Sequence, residues 1–317
     1  MSENHRIAAI DIGTVTTRLL VAEVGPDGVA EEIARSTDIT HLGEGLTATG
    51  CLEYQAMRRV ATVIESYAEL MAALDVERHT AVATSASRDA GNGRELAAML
   101  AERDVVTTVI DGAREAELAF LGATAQLDGE GLLVVDCGGG STELVFGRAA
   151  SDEEGRRLEI YAARSIDVGS RRMTELFLHS DPPQRFELER AREWAVGELR
   201  GFFDRLEARP RTMIGLAGTA TTLAAIQLEL TEYDAEKVHG YELTGPDLTE
   251  LLEMLAGLPL AARRDVVGLH PERAGVIVAG TLIFETVLAL AGLDRMVVSE
   301  HDILYGILLD TYRHLRE

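Results

Sequence analysis

The stretch "VVDCGGGST", residues 134–142, decides how this chain is read. An apolar strand runs into Asp136, then into three glycines, Ser141 and Thr142. Residues 8–16, "AAIDIGTVT", repeat the arrangement with Asp11, Gly13 and Thr14. A turn made of Gly, Ser and Thr leaves several N–H groups pointing one way, and glycine lets an oxyanion approach closely. Gly13 and Thr14, and then Gly138, Gly139, Gly140 and Ser141, are therefore candidate phosphate-binding residues. "LAGTATT", 216–222, adds a third such turn through Gly218 and Thr219. An aspartate at a strand end repels phosphate by itself. It makes chemical sense as a ligand, direct or through water, for Mg²⁺ bridging to phosphate oxygens, which is the expectation for Asp11 and Asp136. Two facing hairpins would grip a phosphoanhydride from both sides, in a cleft between two domains.

The bulk numbers fit two folded domains. The chain has 317 residues and is 46% hydrophobic, enough for two cores and too apolar for a disordered chain. Lys+Arg 30 against Asp+Glu 53 gives a net charge of −23, which argues against nucleic-acid binding. A phosphate site must then rely on local arginines and backbone N–H groups. Lys237 is the only lysine, so a P-loop of the GxxxxGK[ST] type is excluded. Cys51 and Cys137 lack a CxxC partner, so no disulfide framework or zinc site is expected, and Cys137 reads as a packing residue. The N-terminal stretch has no signal-peptide pattern, which makes the cytoplasm the default. The apolar run 274–292 carries Glu285 near its middle and reads as a buried helix rather than a membrane span.

Along the chain the pattern starts twice. Strands are predicted at 6–12, 17–23, 79–87 and 105–112, with helices at 57–74, 93–103 and 114–127. After a glycine-bearing boundary at 127–131 come strands at 132–136, 142–147 and 158–166, with a polar hairpin tip at 150–157. Helices follow at 170–178 and 187–207, then an apolar strand running into a glycine-hydroxyl turn and a helix over 212–226. Helices at 246–256, 271–292 and 301–315 and a strand at 295–299 complete the chain. This is an imperfect α/β duplication.

Taken together, "AAIDIGTVTTRLLVAEV", "ATSASRDAGN", "VIDGAREAELAFLGA" and "LLVVDCGGGSTELVFG" resemble the motifs of the exopolyphosphatase/guanosine pentaphosphate phosphohydrolase family. "HLGEGL", "GLAGTATTLAA", "VHGYELT" and "PERAGVIVAGTLIFETVL" are similar as well. The family belongs to the acetate and sugar kinase–Hsp70–actin superfamily. The resemblance implies two ribonuclease H-like (actin-like ATPase) domains around a phosphate-binding cleft. The expected division is 1–128, completed by the helix 301–317, and 129–300. Two departures stand out. Val15 occupies the place of an asparagine in the first turn. "SEHDILYG", 299–306, replaces the family's SDGxLREG, putting Glu300, His301 and Leu304 at the Asp, Gly and Arg positions.

The resemblance implies a role for several side chains. Glu115 becomes the catalytic base that orients and deprotonates water. Arg88 and Arg18 become phosphate-binding, and Glu143 joins Asp11 and Asp136 as a Mg²⁺ ligand. Glu117 is left as surface, and His41 and His239 as structural. The implied function is Mg²⁺-dependent release of terminal orthophosphate from inorganic polyphosphate by a cytoplasmic homodimer, with guanosine pentaphosphate as the alternative substrate. No nucleic acid or membrane partner is implied. A kinase of the same superfamily would need nucleotide and acceptor pockets for which no signal exists. A non-catalytic phosphate-binding regulator would not require Glu115.

Overall fold

The protein is described here by a computed structural model covering residues 4–152 and 155–316. The chain divides into two compact units, Met1–Ala125 with Asp302–Glu317, and Gln126–His301. The first unit holds strands β1 (His5–Ile12), β2 (Thr16–Gly25), β3 (Gly28–Ile39), β4 (Arg78–Ala83) and β5 (Thr107–Val109) in the order β3-β2-β1-β4-β5. The second holds β6 (Gly129–Cys137), β7 (Thr142–Asp152), β8 (Gly155–Ile166), β9 (Thr212–Leu216), β10 (Glu242–Thr244) and β11 (Arg295–Val298), in the order β10-β11-β9-β6-β7-β8. In each, an antiparallel three-strand meander continues into two parallel strands. The second sheet is the first with one added antiparallel edge strand, β10. The duplication expected from the two Asp-Gly turns is therefore a duplication of the whole ribonuclease H-like sheet.

Alternation in β1 explains how that sheet is buried on both faces. Ala8, Ile10 and Ile12 pack with Met57, Val60 and Ile64 of the helix Tyr54–Ala73. Ile7 and Ala9 pack with Leu118 of the helix Gly112–Ala123 and with Leu304 and Leu308 of the helix Ile303–Leu315. Asp11 shares the parity of Ile7 and Ala9, so it sits on the face of those last two helices.

These two helices meet backbone to backbone. A Cβ on Gly122 would lie 1.8 Å from the Asp302 carbonyl oxygen, and one on Gly306 would lie 1.9 Å from that of Leu118. Only glycine fits at either crossing. Gly306→Ala is expected to cost about 1–3 kcal/mol by overpacking, outweighing alanine's helix preference. Gly201→Ala, in the helix Arg185–Phe203 where nothing lies within 4 Å of a new Cβ, is expected to gain about 0.5–1 kcal/mol. Urea midpoints of the two variants check the contrast.

Several elements differ from the sequence expectation. β4 ends at Ala83, and Ser85–Asp89 forms a short helix instead of continuing the strand. The run Ser-Ala-Ser lacks the β-branched residues that hold the preceding segment extended. β5 is three residues long, and the helix expected over 271–292 is a 3₁₀ turn, Pro271–Arg273, followed by Ile277–Ala291. β3 was not anticipated. It is an edge strand with no fully buried residue, so it carries no apolar period to detect. Of the expected hairpin tip at 150–157, residues 153–154 lie outside the described residues. Among the described residues no helix is long and apolar enough to cross a membrane. The helix Ile277–Ala291 lies in the core of the second unit, with Ile283, Phe284 and Val287 fully enclosed.

Candidate active site

In the first unit, Asp111 caps the helix Gly112–Ala123 by accepting from the Arg114 N–H at 2.8 Å. Glu115 is thereby fixed in the first turn, where the helix dipole favours a carboxylate. It is 8% exposed. Arg88, on the short helix Ser85–Asp89, donates Nη1 to Glu115 Oε2 at 3.0 Å and to the Ile110 carbonyl at 3.3 Å. Burial pushes the Glu115 carboxyl up to about 7; Arg88 opposes that rise and the negative charge of Asp11 adds to it. Glu117, by contrast, is surface-exposed and pairs with Arg114 at 3.2 Å, as a first-turn (i, i+3) ion pair does.

Asp11 is buried at the end of β1. Its Oδ2 accepts from Arg18 Nε at 3.1 Å and from Nη2 at 2.6 Å. Its Oδ1 is enclosed with no hydrogen-bond partner. Burial raises the Asp11 carboxyl and Arg18 lowers it. Arg18 Nη1 also pairs with Asp302, so the guanidinium expected to bind phosphate is shared between two carboxylates.

The two hairpin turns share a device that the sequence did not reveal. In the first, Gly13 N–H donates to the Thr16 carbonyl at 2.9 Å. The carbonyls of Thr14 and Val15 are taken by N–H groups of Thr40, His41 and Gly43, at 2.8–2.9 Å. In the second, Gly138 N–H donates to the Ser141 carbonyl at 3.0 Å. The carbonyls of Gly138 and Gly139 are taken by the N–H groups of Ser170, Arg171 and Arg172, and that of Gly140 by Arg172 Nε at 2.8 Å. In both units the segment that follows the third strand clasps the turn's oxygens. Among the described residues, the N–H groups of Thr14, Val15, Gly139 and Gly140 have no acceptor. Occupied carbonyls beside unused amides are the arrangement from which anion-binding concavities are generally built. The clasp is close: a Cβ on Gly169 would lie 2.4 Å from the Gly139 carbonyl oxygen. Gly169→Ala is expected to weaken inorganic phosphate binding by about tenfold or more, as displaced donors do, which calorimetry checks.

Asp136 and Glu143 stand directly opposite each other on β6 and β7, which puts both carboxylates on one face of the sheet. Both are buried. Glu143 Oε1 accepts from Ser141 Oγ at 2.9 Å and Ser165 Oγ at 2.6 Å, which orients it. Cys137 points into the core, and burial pushes its thiol up to about 12, so it is not a nucleophile at neutral pH.

The carboxylates of each unit, taken separately, are of the kind a divalent cation uses. No group of three His, Cys, Asp or Glu able to hold a metal exists among the described residues. Mg²⁺ typically uses only one or two protein carboxylates, with water and phosphate oxygens completing its shell. Asp11 Oδ1 is an enclosed oxygen lacking a donor, and the Asp136–Glu143 pair supplies hard oxygen ligands side by side.

The third expected turn is the start of a helix. β9 runs directly into Ala217–Gln227, hinged at Ala217 with φ +65°, a strained value for alanine. Gly218 and Thr219 lie in its first turn, which no side chain caps. Arg273 fills the space beside Gly218, its Nη1 only 1.3 Å from where a Cβ would sit. The departures from the family pattern have structural places. Val15 is buried, Leu304 belongs to the core, Glu300 accepts from the Tyr233 hydroxyl, and His301 stacks on His239 with ring centroids 4.4 Å apart.

Comparison with known proteins agrees with this geometry. The profile of the Ppx/GppA phosphatase family matches residues 20–314. Exopolyphosphatase 2 of Mycobacterium tuberculosis is 40% identical over 320 residues, covering 96% of this chain and 98% of that protein. The crystal structure of the Aquifex aeolicus Ppx/GppA family member superposes with a TM-score of 0.81 at 32% identity, covering 99% of each chain. An exopolyphosphatase from Cytophaga hutchinsonii gives 0.87 at 27% identity, covering 98% of each. The duplicated sheet, the paired Asp-Gly turns and the near-complete coverage lead to one conclusion: this chain belongs to the Ppx/GppA phosphatase family.

Proposed function

We propose that the chain is an exopolyphosphatase that releases orthophosphate from the end of inorganic polyphosphate with the help of Mg²⁺. The observation that carries this reading is Glu115: a buried carboxyl, raised to about 7, held by Arg88 at a helix start. A group of that pKa accepts a proton near neutral pH. A module that only bound phosphate would gain nothing from it, since a carboxylate repels the ligand. The name of the mycobacterial relative supports the same substrate class.

In this mechanism Glu115 orients a water molecule and takes its proton as the oxygen bonds to the terminal phosphorus. The anhydride bond to the next phosphate breaks, and the electron pair leaves on the shortened chain. Arg88 steadies Glu115 and binds phosphoryl oxygen through its planar head. Each unit brings its own donors for phosphate oxygens: the turn amides at Thr14 and Val15 in the first, and those at Gly139 and Gly140 with the helix start at Gly218 and Thr219 in the second. Within the first unit Asp11, and within the second Asp136 and Glu143, are the carboxylates that would hold Mg²⁺, which when bound would supply positive charge against the charge developing on the phosphates. Arg18 fixes Asp11. A homodimer comes into the proposal from the family resemblance, and sedimentation tests it.

Purified protein is expected to release orthophosphate from polyphosphate in Mg²⁺. Guanosine pentaphosphate, whose terminal anhydride is chemically the same, and ATP serve as parallel substrates. Failure to release phosphate from any of the three overturns the hydrolase reading.

The pH dependence follows from Glu115. The base works only when ionised, so kcat/KM is expected to fall as pH drops through about 7. Its effect on stability has the opposite sense. A carboxyl raised on folding contributes stability below its ordinary value of 4.5 that is lost as pH rises through about 7. Activity and this one contribution to stability should therefore move in opposite directions across that window. A profile flat down to pH 5 would remove Glu115 from the role of base.

A further inference from the structure

We propose that Asp302 is a positioning residue that holds the Arg18 guanidinium away from one oxygen of Asp11, keeping that oxygen open to a divalent cation. The inference rests on the proposed Mg²⁺ requirement. It assigns a task to a residue at the unspecified position of the SDGxLREG pattern, 284 positions from the arginine it holds.

Arginine and carboxylate prefer a fork-on-fork pair, two nitrogens to two oxygens. That is not what Arg18 does here. Its Nε and Nη2 both converge on Asp11 Oδ2, while its Nη1 is taken by Asp302 Oδ2. Oδ1 of Asp11 is left enclosed and without a donor. A buried carboxylate oxygen in that state is costly unless something positive comes to it. The second carboxylate explains the arrangement, because it competes for the guanidinium edge that would otherwise close over Oδ1.

Asp302 is well fixed for this task. It is 4% exposed and caps the helix Ile303–Leu315, its Oδ1 accepting from the Leu304 N–H at 2.9 Å. Its carbonyl presses on Gly122 of the helix that carries Glu115. The oxygen that holds Arg18 is thus tied to the same backbone frame as the base. Two carboxylates around one arginine also leave a net negative charge, which suits a cation.

Asp302→Asn keeps the volume and the helix cap but removes the charge that holds Arg18. The free fork is then expected to take both Asp11 oxygens, weakening cation binding by about 10–100-fold, the size typical of outer-shell changes at metal sites. The readout is Mn²⁺ affinity of the full-length protein with inorganic phosphate, followed by the electron-spin signal of free Mn²⁺, alongside the Mg²⁺ concentration giving half-maximal polyphosphate hydrolysis. Both should shift in parallel. In an Arg18→Gln background the same Asp302→Asn change should have no further effect, because the arginine that would close over Asp11 is gone. Equal Mn²⁺ affinity in wild type and Asp302→Asn overturns the inference, as does a full additional loss in the Arg18→Gln background. If wild type binds no Mn²⁺ and hydrolyses polyphosphate in excess chelator, the Mg²⁺ reading itself fails and takes this inference with it. Wild-type cation dependence with an unshifted Asp302→Asn midpoint sinks the inference alone.

Discussion

Glu115→Gln is expected to lower polyphosphate turnover by about 10²–10⁴-fold, the usual worth of a positioned general base. Glutamine keeps the shape of the side chain at the start of the helix Gly112–Ala123 and can still accept from Arg88, but it cannot take a proton. Phosphate binding should hold or tighten slightly, because a negative charge has left an anion site. Glu117→Gln, two residues along and exposed, is the internal control and should stay within about twofold of wild type, as surface changes do. Equal behaviour of the two variants would reduce Glu115 to a helix-start carboxylate.

Arg88→Ala is expected to cost about 10²-fold or more in kcat/KM, the size seen when a charge contact to the transition state is lost. Two effects add. The phosphoryl contact disappears, and Glu115 loses the cation that opposes its rise. The acid limb of kcat/KM should therefore move to higher pH in this variant, a shift that a purely substrate-binding arginine would not cause. An unchanged kcat/KM would return Arg88 to a solvated role.

What the sequence showed and what it hid follow from where each signal resides. The strand–Asp–Gly turns at Asp11 and Asp136 are local, set by residue types within ten positions, and their form could be read directly. Arg88 was readable as a residue but not in its setting, since Ser-Ala-Ser leaves the strand for a helical turn. The clasp segments at Thr40–Gly43 and Gly169–Arg172 act mainly through backbone N–H groups, which every residue but proline carries, joined by Arg172 Nε, so their side chains say little of the role. Each segment carries a small residue where it meets its turn, Gly43 against Thr14 and Gly169 against Gly139. Asp302 was hidden by distance along the chain, its meaning arising only when the last helix packs against β1 and β2. The division of Arg18 between two carboxylates has the same origin. Glycines at 122 and 306 read as ordinary helix-weakening residues until the helix crossing shows why nothing larger fits.

Hydrolysis of polyphosphate in water enriched with ¹⁸O tests the central claim most directly, because it reports which phosphorus the water attacks. With wild-type protein and Mg²⁺, each cleavage should place one heavy oxygen in the released orthophosphate and none in the shortened chain. Heavy oxygen appearing at the new chain end instead, or short chains released without orthophosphate, would contradict attack on the terminal phosphorus by water that Glu115 activates.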